Sequence, residues 1–116
     1  MRVVLLNRRD YVGSTPLTND DMNLLNTVDG QHEYMMARAR ELYDFLTTLV
    51  KRENLPAGGG IVLCGWSFGT AFLTALLVYA STFEEHSFNL ASYIRQVDLY
   101  GMLPVSFATW LTFLPF

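Results

Sequence analysis

Ile61-Val62-Leu63-Cys64-Gly65-Trp66-Ser67-Phe68-Gly69 is the stretch on which the fold turns. Four apolar residues lead into a serine flanked by glycines, and an uncharged, helix-like segment runs on from Thr70 to Thr82. Strand, tight turn with a central serine, then helix is the context that gives G-x-S-x-G its meaning as a nucleophile elbow. The turn must be sharp so that the serine hydroxyl projects from the sheet. Gly65 and Gly69 are expected where side chains would collide with the closely approaching helix and the neighbouring strand.

Downstream, the segment from Thr70 to about Phe83 is apolar on nearly every side, and such a helix has to be buried on most faces. Ser81 to Ala91 is a polar connection with room for a second short helix. Tyr93 to Tyr100 then reads as a strand that ends at Gly101 and Pro104. Upstream, the strand of the elbow begins at about Gly60, after the glycine run Gly58-Gly59-Gly60. Before it, Gln31 to Arg52 is an amphipathic helix. Met35, Ala39, Leu42, Leu46 and Leu49 recur at spacings of four and three and make one apolar face. Glu33, Arg38, Arg40, Glu41 and Asp44 take the other positions. Asp29 is the expected N-cap, and Lys51-Arg52 suit the negative end of the helix dipole.

Arg2 to Asn7 reads as a further buried strand, a short apolar run ended by polar residues. Arg8 to Pro16 is rich in turn formers. Thr18 with Asp21 has the form of a capping box and predicts a short helix to Leu25. The pattern is β-α-β-α-β, which implies an α/β fold of about three parallel strands and two main helices joined by right-handed crossovers. Residues 1–103 form this incomplete core, and 104–116 form an apolar, uncharged tail.

The whole chain has 116 residues, 51% of them hydrophobic, and a net charge of −3. That is enough for one small domain with a core. There is no basic stripe with interleaved aromatics, so a nucleic-acid partner is not expected. The single cysteine, Cys64, is expected to be a buried strand residue. One cysteine makes neither an intrachain disulfide nor a metal site, so no metal is expected. The apolar run after Met1 is too short for a signal peptide, and a cytoplasmic location is favoured. Ile61 to Ala80 is uncharged and of membrane-spanning length, and Gly65 with Gly69 matches G-x-x-x-G. The glycine run entering Ile61-Val62 favours the division into strand and helix, so a membrane association is not expected.

Val3-Val4-Leu5-Leu6-Asn7-Arg8-Arg9-Asp10-Tyr11-Val12-Gly13-Ser14, a helix, and then Gly65-Trp66-Ser67-Phe68-Gly69 together resemble the central stretch of the α/β-hydrolase superfamily, most closely its fungal members. The resemblance covers roughly the first hundred residues and about the middle third of a family domain. It implies that Ser67 is the nucleophile and that the backbone N–H of Phe68 is one oxyanion donor. It implies that Trp66 helps to line the substrate pocket and that Asp10 to Ser14 have a structural role. It implies a serine hydrolase acting on an ester, amide or related acyl bond of a small-molecule substrate, with no cofactor. Family members place the second oxyanion donor before the equivalent of this first residue, and the acid and histidine after the last. The strand missing upstream lies, in the family, between the two that here flank the amphipathic helix. Gly101 stands where many relatives carry an acidic residue.

A serine hydroxyl is a weak nucleophile until a base takes its proton. The chain has two histidines. His86 follows the elbow helix, which climbs roughly 20 Å at 1.5 Å per residue, so it is expected on the far side of the fold. His32 lies at the start of the amphipathic helix and reads as a surface residue. Asp10, Asp44 and Asp98 offer no convincing acid. Asp98, in a strand, needs a partner or an exposed edge, and Arg95 reaches it only at a bulge or in solvent. The expectation is a hydrolase-like chain that lacks its own base and acid. The competing expectation is a non-catalytic interaction module or an inert fragment, self-associating through exposed sheet edges.

Overall fold

A computed structural model describes residues 2–83 and 88–101. The expected tail, 104–116, and His86 lie outside the described residues. The chain divides into two units, Met1–Tyr34 and Met35–Phe116.

In the first unit, helix α1 spans Asn19–Leu24. The capping box forms as the sequence implies. The Asp21 amide donates to Thr18 Oγ1 at 3.1 Å, and the Thr18 amide donates to Asp21 Oδ2 at 3.0 Å. Two of the four orphan donors at a helix start are satisfied reciprocally. Arg9 forms an ion pair with the same carboxylate at 3.4 Å.

Arg2 to Asn7 is not a strand. It has no ladder partner among the described residues, and Val3 and Leu5 are 70% and 90% exposed. An apolar run becomes a strand only where a neighbouring strand takes up its N–H and C=O groups in a ladder, and none does so among the described residues.

Helix α2, Val28–Arg52, starts three residues before the expected Gln31. Thr27, not Asp29, makes the capping contact: its hydroxyl accepts from the Gly30 amide at 3.0 Å. Asp29 sits inside the first turn, and Lys51 and Arg52 sit in the last, each favourable to the dipole.

In the second unit, Ala39, Tyr43, Leu46 and Val50 are the buried hydrophobic positions of α2. The buried stripe is therefore turned from the expected one: Tyr43 and Val50 replace the half-buried Leu42 and Leu49. Arg38, expected on the polar face, is 9% exposed and forms an ion pair with Glu41 at 3.3 Å. Its long aliphatic stem can lie along apolar surface while the head group finds a carboxylate.

Strand β1, Ile61–Trp66, and strand β2, Ile94–Tyr100, form a parallel two-stranded sheet. Helix α3, Gly69–Phe83, and a 3-10 turn, Leu90–Tyr93, connect them. The class is α/β, with two strands among the described residues in place of about three. The uncharged 20-residue stretch from Ile61 divides into β1 and α3, and no described helix is long and apolar enough to cross a membrane.

One face of the sheet is covered. Ile61 and Leu63 join Tyr43, Leu46 and Val50 of α2, Leu73 and Leu76 of α3, and Leu90 in one cluster. Val97 and Leu99 of β2 pack against it. The other face is open, because β1 alternates buried and exposed residues along its length. Leu77 of α3 is also exposed, so that helix is less enclosed than its sequence suggests.

Candidate functional site at the turn after β1

The turn at Ser67 is built by three constraints. β1 ends at Trp66 and α3 starts at Gly69, so the chain has two residues in which to reverse from strand to helix. Ser67 takes the left-handed conformation, with φ +50°. A side chain in that region is strained, and such strain persists only where the surroundings impose it. The surroundings do so from both sides. The Ser67 amide donates to the Tyr100 carbonyl at 2.8 Å. The Ser67 carbonyl accepts from the Thr70 amide at 3.0 Å and from Thr70 Oγ1 at 2.7 Å.

The glycines around the turn do different work. A Cβ on Gly65 would stand 3.0 Å from Leu73 Cδ1 and 3.1 Å from Thr70 Cα, so bare backbone is needed for α3 to close on β1. A Cβ on Gly69 would meet nothing within 4 Å, contrary to the expectation that both glycines avoid collisions. The position that shares the role of Gly65 is Gly101. It has φ +78°, and a Cβ there would lie 3.2 Å from the Ser67 nitrogen.

Ser67 is exposed, and its hydroxyl makes no hydrogen bond to a described residue. Phe68 follows at the entry to α3, with its ring edge-on to Phe72 at 5.8 Å between centroids. Trp66 ends β1, 73% exposed, in register with Tyr100 of β2. The turn thus presents an exposed serine between two exposed aromatic residues.

The open face of the sheet runs up to this turn. Its pairs are Val62 with Gln96, Cys64 with Asp98, and Trp66 with Tyr100. Cys64 is exposed, which corrects the expectation of burial. The helices cover only the face carrying Ile61 and Leu63, and the alternation of side chains along a strand puts Cys64 on the other.

Asp98 accepts from the Gln96 side-chain amide at 2.7 and 2.9 Å. The register shifts at Arg95, between the pairs Ile61–Ile94 and Val62–Gln96, yet no Arg95–Asp98 ion pair is found among the described residues. The Asp98 charge raises the pKa of Tyr100 above the usual tyrosine value. Burial, a hydrogen bond to the Asp98 carboxylate and the charge of Cys64 add to the effect.

The remaining candidates are placed elsewhere. His32 is a half-buried residue near the start of α2, in the first unit. Asp10, also in the first unit, is a turn residue with φ +69° whose amide donates to the Thr15 carbonyl at 2.9 Å. Asp44 forms an ion pair with Arg40 at 3.1 Å. A cleft of about 180 Å³ lies between Arg40, Asp44 and Lys51 of α2 and Phe88, and neither Trp66 nor Ser67 lines it.

The residues that sequence reasoning missed are Thr70 and Tyr100. Thr70 carried a signal: a threonine at the start of a helix can turn its hydroxyl back to a preceding carbonyl. Tyr100 acts at Ser67 through its carbonyl, which has no side-chain signature.

Compared with family models, with curated proteins and with solved structures, the chain matches none of them.

Proposed function

We propose that this chain carries the nucleophile elbow of a serine hydrolase of the α/β-hydrolase type, acting on an ester, amide or related acyl bond. The observation that carries the reading is the left-handed φ of Ser67 at a two-residue junction between a parallel strand and a helix. Ser67 Oγ attacks the acyl carbonyl carbon, and the Phe68 N–H at the entry to α3 donates to the developing oxyanion. One such donor typically contributes about 3–4 kcal/mol at the transition state. The exposed Trp66 flanks the acyl substrate.

The base and acid that activate the serine are not assigned to this chain. Without a base Ser67 is a poised but unactivated hydroxyl, and the rate retained is small. An external base tests this. Treatment with a fluorophosphonate in the presence of imidazole is expected to modify Ser67 ahead of Ser14 and Ser92, and Ser67→Ala to abolish that product. Equal modification of the three serines would remove the reading.

A second reading, a non-catalytic interaction module, draws on a different observation. Val62, Trp66 and Tyr100 are 50%, 73% and 49% exposed on one face of a sheet whose two strands each have an edge with no strand partner among the described residues. Such a surface favours association, including with a second copy. Concentration-dependent light scattering that Trp66→Ser suppresses, with no selectivity for Ser67 in the phosphonate reaction, would favour it.

A further inference from the structure

We infer that Thr70 is a positioning residue for Ser67, holding its backbone in the left-handed conformation through a buried hydroxyl. The inference rests on the reading of Ser67 as the nucleophile for its functional meaning, and on geometry alone for the contact itself.

Thr70 is 1% exposed, and it is the only polar residue among the largest fully buried side chains of the described residues. A buried hydroxyl needs a partner, because its desolvation is otherwise uncompensated. Thr70 Oγ1 donates to the Ser67 carbonyl at 2.7 Å, and the Thr70 amide donates to the same oxygen at 3.0 Å. A carbonyl oxygen has two lone pairs, and both are used here by one residue.

The site for this hydroxyl exists because Gly65 has no side chain. A Cβ there would come within 3.1 Å of Thr70 Cα and displace the first turn of α3. Thr74 repeats the pattern one turn later, with its Oγ1 donating to the Thr70 carbonyl at 2.8 Å. The Thr70 backbone is thereby tied to the next turn while its side chain ties Ser67.

The result is a division of labour within Ser67. Its amide is bound by Tyr100, its carbonyl is bound twice by Thr70, and its hydroxyl makes no bond to a described residue. A rigid backbone with an uncommitted hydroxyl is what preorganised attack requires. Release of the carbonyl lets Ser67 relax towards the ordinary helical or extended regions and carries the hydroxyl off the tip of the turn.

Amide hydrogen exchange on the intact chain tests the contact independently of any chemistry. Thr70→Val keeps the shape and removes the hydroxyl, while Thr70→Ser keeps the hydroxyl. The expected result is that Ser67 amide exchange accelerates roughly two- to tenfold in Thr70→Val, the range for one lost hydrogen bond, with the β1–β2 ladder amides unchanged. Thr70→Ser should return it to the wild-type rate. Wild-type exchange at Ser67 in Thr70→Val, or equal acceleration in both variants, would overturn the inference. If Thr70→Val loses its dispersed amide spectrum, retention of that spectrum by Thr70→Ser supports the hydroxyl, and loss in both overturns it. Phosphonylation of Ser67 in imidazole should fall in Thr70→Val and recover in Thr70→Ser. Failure of the unmodified chain to react at Ser67 removes the nucleophile reading and leaves the exchange result to decide the clamp.

Discussion

The amide of Ser67 donates a 2.8 Å hydrogen bond to the carbonyl of Tyr100. Ser67 follows the last residue of β1, and Tyr100 is the last residue of β2. The bond therefore extends the parallel ladder by one step, past the end of the strand and into the turn. It couples the position of the serine to the exit of the neighbouring strand, where the chain bends away at Gly101.

Gly101 is required for that coupling. Its φ of +78° is a left-handed conformation, and a Cβ would stand 3.2 Å from the Ser67 nitrogen. Gly101→Ala is expected to cost about 1–2 kcal/mol from the backbone conformation alone. Urea denaturation followed by circular dichroism should show the loss, and an unchanged midpoint would contradict it.

The two glycines of the motif should separate cleanly. Gly65→Ala forces a methyl against Leu73 Cδ1 at 3.0 Å and Thr70 Cα at 3.1 Å. A cost of about 1–3 kcal/mol is expected, as for other overpacked sites. Gly69→Ala meets nothing within 4 Å and gains helix propensity, so it should be neutral or stabilising by under about 1 kcal/mol. Thermal melts of the two variants side by side check the order, and a larger loss from Gly69→Ala would reverse the account.

Tyr100 should titrate late. The Asp98 charge, with burial, a hydrogen bond to Asp98 and the charge of Cys64, raises its pKa above 10.0. The folded chain then holds this proton to higher pH than the unfolded chain. The associated stability is fully present below about pH 10 and is lost as pH rises through the folded value. Phenolate absorbance, with Tyr100→Phe to subtract the other tyrosines, should place the transition above the ordinary range. Asp98→Asn should lower it, and no movement would exclude Asp98 as the cause.

Much of this was legible in the residues, and the misses have a common origin. The capping box at Thr18 and Asp21, the long helix ending at Lys51-Arg52, and the strand–turn–helix around Ser67 depend on neighbours close in sequence. Those neighbours are fixed by spacing alone. Arg2 to Asn7 and Cys64 were misjudged because strand formation and burial depend on a second element, which local pattern does not reveal. Ile61-Val62-Leu63-Cys64 has the continuous apolar character of a strand covered on both faces. The fold covers one face, so Val62 and Cys64 are left in the open. The buried stripe of α2 was displaced for a related reason: the periodicity allows Leu42 and Leu49 or Tyr43 and Val50, and contact with β1 and α3 selects the second pair. At the turn, Gly65 had its expected role and Gly69 did not, while Gly101 supplied the close approach from 32 residues beyond Gly69.

The central proposal is that Ser67 is a nucleophile-elbow serine whose base is not found among the described residues. Mass-spectrometric mapping of fluorophosphonate adducts, with and without imidazole, tests it most directly. The account predicts slow reaction alone, acceleration by imidazole at Ser67 ahead of Ser14 and Ser92, and no adduct at position 67 in Ser67→Ala. Indiscriminate labelling of the three serines would contradict the elbow, and rapid labelling of Ser67 without imidazole would contradict the absence of a base.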